Sequence, residues 1–193
     1  MARQEERRAA TRGAVMRAAQ KLFESKGFSA TTMDEIAAAA GVAKGAVYHH
    51  FPSKEELFEA VFEAVSLGLL DRVAAVGGKD ILDAMVAASR AYFDACAEPA
   101  LGRIILKDGP AVLGWERWRE IDLRHFGAMI PMALQEAMDA GLIVRLPVEP
   151  LAHLLTGAVT EAAVACAASD DPARTGAEHV RALEAILEGL RRR

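Results

Sequence analysis

The sequence predicts an all-α fold of about nine helices, with a three-helix helix-turn-helix head at the N-terminus and a larger helical body behind it. Three observations carry this. Apolar residues recur at helical spacing along most of the chain. Glycine, proline and aspartate punctuate that pattern where helices must stop or start. Residues 31–54, TTMDEIAAAAGVAKGAVYHHFPSK, divide into two short helical pieces joined by a tight turn. A length of 193 residues fits one or two domains, and 52% hydrophobic residues are enough for a sizeable core.

The 31–54 stretch organises the rest. Thr32-Met33-Asp34-Glu35 reads as a capping box, with the Thr32 hydroxyl capping the helix and Glu35 returning to the cap's own amide. Ile36, Ala37 and Ala40 supply an apolar stripe, Gly41 a left-handed stop, and Val42 the corner. A second helix runs from Ala43 to about His50, and Phe51-Pro52 ends it. The second helix of such a pair can enter the DNA major groove. Its side chains suit that role: Lys44 is a cation near the start, Gly45 permits close backbone approach, and Tyr48, His49 and His50 are hydrogen-bonding rings.

Residues 10–62 resemble the DNA-binding domain of the tetracycline-repressor (TetR) family. The resemblance rests on LFESKGFSATTMDEIAAAAGVAKGAVYHHFPSKEELF, an extended motif that follows the family pattern almost position for position. It implies a head of residues 1–69 that includes the start of a linking fourth helix, and a ligand-binding and dimerisation domain of residues 70–193. It also implies that the fourth helix links ligand binding to the spacing of two DNA heads, and that the last two helices pair with their copies as a four-helix bundle.

In chain order, a first helix is expected from Glu5 to Ser25, buried through Val15, Ala18, Ala19, Leu22 and Phe23. Arg3, Arg7, Arg8 and Arg12 near its start read as phosphate contacts or a short minor-groove arm. Ser53 caps the fourth helix, which runs to about Val76 with Lys54 at its start. Asp80 caps a helix from Ile81 to Ala97; Pro99 opens another that ends near Asp108-Gly109-Pro110. A helix from Trp115 to Ala140 should kink or break at Pro131, whose ring clashes with the carbonyl of Gly127. Helices over Leu151–Ala168, opened by Pro150, and Thr175–Arg191 complete the chain.

Charge is uneven. Residues 1–54 hold nine Lys/Arg against five Asp/Glu, whereas the remainder holds 14 against 22. A basic head on an acidic body suits DNA binding by the head alone. The N-terminus is charged and lacks a signal-like apolar run, and no stretch of eighteen apolar residues is free of charge, so a cytoplasmic protein without a membrane span is expected. Cys96 and Cys166 read as reduced, buried thiols, and no Cys/His spacing suits zinc. No metal or other cofactor is expected.

The residues expected at the DNA are Arg12, Thr32, Ala43, Lys44, Gly45, Tyr48, His49, His50 and Lys54, with Lys44 and Lys54 mainly on phosphates. The body carries more rings, sulfur and isolated polar groups than a plain bundle needs: Tyr92, Phe93, Trp115, Trp118, Phe126 and Met129, with Asp108, Asp122, His125 and Glu161. A mostly apolar cavity walled by Trp115, Trp118, Phe93, Phe126 and Met129 is expected, with selection by Asp108, Tyr92 or Glu161. Leu155, Val159, Ala162, Val180, Leu183, Leu187 and Leu190 are expected in a homodimer interface.

The leading reading is a transcription regulator, a repressor released from a palindromic DNA operator by a small-molecule inducer. A regulator that senses no ligand and acts through a protein partner is the alternative. An enzyme is disfavoured: the charges around His125 could suggest acid–base work, but nucleophile, phosphate-loop and metal motifs are missing, and these charges read better as a solvated helix face.

Overall fold

The computed structural model describes residues 2–192, with side chains from Gln4 onward. Ten α-helices and one π-helical turn follow one another among these residues. The head comprises α1 (Ala2–Lys26), α2 (Met33–Ala40) and α3 (Lys44–His50). The long α4 (Lys54–Ala74) leads into α5 (Ile81–Ala97) and the short α6 (Pro99–Gly102). The π-helical turn Arg103–Asp108 follows, then α7 (Gly109–Phe126), α8 (Met129–Asp139), α9 (Val148–Ala168) and α10 (Pro172–Leu190).

Local chemistry sets the helix ends. Gly27 closes α1 at φ 83°, and its amide still donates to Phe23 O at 2.9 Å. Thr32 and Glu35 form the expected capping box. Gly41 ends α2 in the left-handed region, at φ 67°. Ser53, Asp80 and Asp171 accept first-turn amides of α4, α5 and α10.

Four boundaries differ from the sequence reading. The chain does not stop at Asp108-Gly109-Pro110 but passes through the π-helical turn directly into α7, where Pro110 sits in the first turn. Pro110 has no amide to donate to this continuous helical path, and the Gly109 amide before it bonds Ile104 O in the wider π pattern. The break falls instead at Gly114, which takes φ 75° and ψ 157° inside α7. The single helix expected over residues 115–140 is two, because the chain leaves α7 at Gly127 and Pro131 falls in the first turn of α8. The last two helices start three residues earlier than expected, at Val148 and Pro172, so Pro150 lies within the first turn of α9.

The buried core has two parts. The larger runs without interruption from Val15 and Phe23 of the head, through Phe58 and Phe62 of α4, to Trp118, Cys166 and Val180 of the body. The smaller joins Leu82, Leu134, Met138, Ile143, Leu155, Leu183 and Leu187 at the far end. A backbone bridge between Ile143 and Arg191 pins the α8–α9 loop to the end of α10 there. Cys96 and Cys166 are free and buried, as expected, and burial pushes the Cys96 thiol up to about 12. The apolar α9, with mean hydropathy 1.5, is long enough to cross a membrane by length and composition. Here it packs against α5, α8 and α10.

Phe58 is the centre of the larger core. Its ring meets those of Phe23, Phe28 and Phe62 at centroid distances of 5.3, 5.3 and 6.4 Å. Phe58→Ala should cost about 3–5 kcal/mol, the usual range for deleting a buried ring. Urea unfolding followed by circular dichroism checks this, and a loss below about 1 kcal/mol would mean that the cluster is not a shared core.

Candidate nucleic-acid interface and ligand cavity

Val47 is the only fully buried side chain of α3. That single anchor turns Lys44, Gly45, Tyr48 and His49 outward together, with Ala43 just before them. Lys44 Nζ lies 2.7 Å from Asp34 Oδ1 and 6.0 Å from the Tyr48 ring centroid. Both partners of this ion pair are exposed, so it is a weak tether that a phosphate can displace. Thr32 is exposed at the start of α2 beside this face. His50 is half-buried; burial, then the charges of His49, Arg8 and Arg12, hold its pKa below the usual histidine value. It is therefore a neutral hydrogen-bonding ring at pH 7 rather than a cation. The Arg12 guanidinium stacks on Phe51 at 4.8 Å, next to the end of α3. Arg7 and Arg8 are exposed, while the Arg3 side chain lies outside the described residues.

Lys54 departs from the sequence expectation. Its Nζ donates to Phe28 O and Thr31 O, both at 2.9 Å, and stands 4.1 Å from the Phe28 ring centroid. Its charge is spent on holding the α1–α2 turn rather than facing outward. Asp108 departs as well. Its Oδ2 accepts the Phe28 amide at 2.8 Å, and Arg103 donates to Glu24 O at 3.1 Å. These body residues clasp the head and do not line a cavity.

A cavity of about 410 Å³ lies among α4, α5, α7, α8, α9 and α10. Tyr92, Phe126 and Met129 line it, as expected. Asp122, which the sequence offers both among the body's isolated polar groups and within the charged face around His125, lines it too. Phe93, Trp115, Trp118 and Glu161 do not. Phe93 is packed in the core 6.3 Å from the His179 ring. Trp118 is buried with its indole N–H on Ile105 O at 3.0 Å. Trp115 is 63% exposed and borders a shallow groove on α7. Glu161 faces outward on α9. Trp115, Trp118, Asp122 and Phe126 follow one stripe of α7, and position along the helix separates them: Trp115 stands in solvent beside the Gly114 break, Trp118 is buried against Ile105, and only Asp122 and Phe126 reach the cavity.

The dimer expectation changes similarly. Leu155, Ala162, Val180, Leu183 and Leu187 are buried within one protomer, and Leu155, Val159, Leu183 and Leu187 also border the cavity. Leu190 is half-buried against the smaller core. The outward faces of α9 and α10 carry other residues: Leu154, Val164 and Ile186 are 71, 41 and 50% exposed, among the exposed small residues Gly157, Ala158, Ala182, Ala185 and Gly189. Heptad-like counting found apolar residues on these helices but could not say which side of each faced its own body.

The charges around His125 form a lattice between α4 and α7. Arg124 reaches Glu63 and Glu120, each at 2.8 Å, and Arg117 pairs with Glu59 and Glu120. His125 Nδ1 is buried with no hydrogen-bond partner among the described residues.

Comparison with known proteins joins this geometry to a family. Residues 15–61 match the family described as bacterial regulatory proteins, tetR family, and residues 82–190 match the tetracyclin repressor-like C-terminal domain. The chain belongs to the TetR family. A TetR-family transcriptional regulator from Pectobacterium atrosepticum superposes on it with a TM-score of 0.84, at 30% identity and with 97% of each chain covered. The Tn10 TetC protein of Escherichia coli is 23% identical over 158 residues, 80% of this chain and 79% of that one. The HTH-type regulator AcrR of Shigella flexneri is 45% identical over 53 residues, 28% of this chain and 25% of that protein. For this TetR-family chain the likeness is thus strongest in the head, and the protein is a helix-turn-helix transcriptional regulator.

The TetR-family head also makes a pH prediction. Glu35 bonds Lys26, the Thr32 amide at 2.9 Å and the Thr32 hydroxyl, which together hold its carboxyl near a pKa of about 2 instead of 4.5. A depressed carboxylate pKa stabilises the fold fully above about 4.5, and that contribution disappears as pH falls toward about 2. The stability difference between wild type and Glu35→Gln should therefore shrink steadily across that window. Denaturant titrations at stepped pH check it, and a constant difference would contradict the assignment.

Proposed function

We propose that the chain is a homodimeric repressor of the bacterial cytoplasm, which reads a two-fold symmetric DNA operator through paired α3 helices and leaves it when a small molecule fills the cavity of the body. The observation that carries this reading is the double role of α4. Its first residue, Lys54, holds the α1–α2 turn of the head, and Val73 and Ala74 at its other end border the cavity. A ligand that favours one position of α4 over another shifts the spacing of the two heads by its differential affinity for the two states.

At the DNA, Lys44, Tyr48 and His49 make the direct contacts, with Gly45 and Ala43 at close backbone approach. Thr32, His50 and Arg12 flank them. Lys54 contributes by supporting the turn. Lys44→Ala should weaken binding to all sequences and reduce the salt slope by about one unit. Fluorescence anisotropy against a duplex recovered by in vitro selection, read at several salt concentrations, checks this; an unchanged slope removes Lys44 from the phosphate contacts.

The second copy docks on the outward faces of α9 and α10. Small residues there let helices approach closely, while Leu154 and Ile186 supply apolar contact that a monomer would leave in water. The double variant Leu154→Asp, Ile186→Asp should sediment as a folded monomer, since these side chains anchor neither core. A folded dimer would refute this interface. By contrast, Leu183→Asp or Leu187→Asp would unfold the protomer itself, because both side chains belong to the smaller core.

A further inference from the structure

The cavity has an unbalanced lining. Its charged residues are Asp122 and Glu136; among the described residues no lysine, arginine or histidine faces it. Glu136 is exposed, whereas Asp122 is half-buried, and burial raises its carboxyl above the usual range. Among the described residues none hydrogen-bonds the Asp122 carboxylate, and the one favourable charge acting on it is Arg119, one turn back on the same helix. Tyr92 and Cys96 of α5, its other titratable neighbours, stay neutral because burial raises both above their usual values. A half-buried carboxylate without an ion pair gives up part of its hydration, which a cationic partner would return.

Around that charge the wall is aromatic and soft. Tyr92 and Phe126 meet edge to face at 5.8 Å, and both border the cavity beside Asp122. Met85, Met129 and Met132 complete a polarisable surface. A cation between ring faces and a carboxylate gains from both, and more so where water is excluded. A ligand carboxylate or phosphate would meet the opposite: like charge, with no lining donor cation.

Resting on the reading of this cavity as the effector site, we propose that it takes hydrophobic organic cations, with an ammonium seated on Asp122 between Tyr92 and Phe126 and an apolar body against the methionines. The cavity volume suits an aryl-alkyl amine rather than a long acyl chain.

Three matched probes test this on the full-length protein: phenylbutyl-trimethylammonium, its neutral tert-butyl analogue, and phenylpentanoate. Isothermal titration calorimetry should give the ammonium at least about tenfold tighter binding than the neutral analogue, and weakest binding for the carboxylate. In Asp122→Asn the ammonium's advantage should vanish, while the ligand-free variant melts no lower than wild type, since the half-buried Asp122 forms no ion pair among the described residues. Equal affinity of the ammonium and neutral probes in wild type overturns the cation assignment but leaves the cavity a ligand site. An ammonium advantage that persists in Asp122→Asn overturns the role of Asp122. If none of the three probes binds, the cavity's role as the effector site fails along with the proposal.

Discussion

The α1–α2 turn is the constraint on which the rest of the molecule depends. Gly27 leaves the helix in a left-handed conformation, and the backbone that follows has no helical neighbour to bond. Buried amides and carbonyls must find partners elsewhere. Here they come from distant chain: Asp108 takes the Phe28 amide, Arg103 the Glu24 carbonyl, and Lys54 the Phe28 and Thr31 carbonyls. Thr31, fully buried, closes the turn on Gly27 O at 2.8 Å. The orientation of the head is thus fixed by one residue of α4 and two of the π-helical turn.

That arrangement explains the shape of the core. A three-helix head of this size buries too little apolar surface to stand far from marginal stability. In this chain the head shares its core with α4 and the body, through Phe23, Phe28, Phe58 and Phe62. Gly109 shows how tight the junction is: a Cβ there would stand 2.7 Å from the Phe62 ring and 3.0 Å from Trp118. Packing of this density passes displacement along rather than absorbing it. The ion pairs between α4 and α7 lie on the outside of the same junction, where they add direction more than stability. Movement of α4 therefore has consequences at the head.

The cavity occupies the body of the molecule. It lies where the two cores meet, bordered by Val73 from the α4 end and by Leu155, Leu183 and Leu187 from the smaller core. On the other side of α9 and α10 are the exposed small residues Gly157, Ala158, Ala182, Ala185 and Gly189. A half-buried carboxylate on the cavity wall favours a cationic occupant over an anionic one.

The sequence by itself determined the local features. The Thr32–Glu35 capping box, the Gly41 stop, the caps at Ser53 and Asp80, and the outward set Lys44, Gly45, Tyr48 and His49 all follow from contacts within a few residues. The buried fate of Cys96 and Cys166 was also legible, because both stand in apolar helical runs. Tertiary structure decided whatever depends on which way a helix faces. Lys54 and Asp108 carry charges that suit DNA or a ligand, yet each answers a backbone group 23 to 80 residues away in sequence. Trp115 and Asp122 lie on one stripe of α7, and only the tertiary packing along it leaves the ring in solvent beside the Gly114 break and the carboxylate at the cavity. Helical periodicity fixes the angle between side chains on one helix, but the direction of the whole set is fixed by neighbours that a linear pattern does not contain.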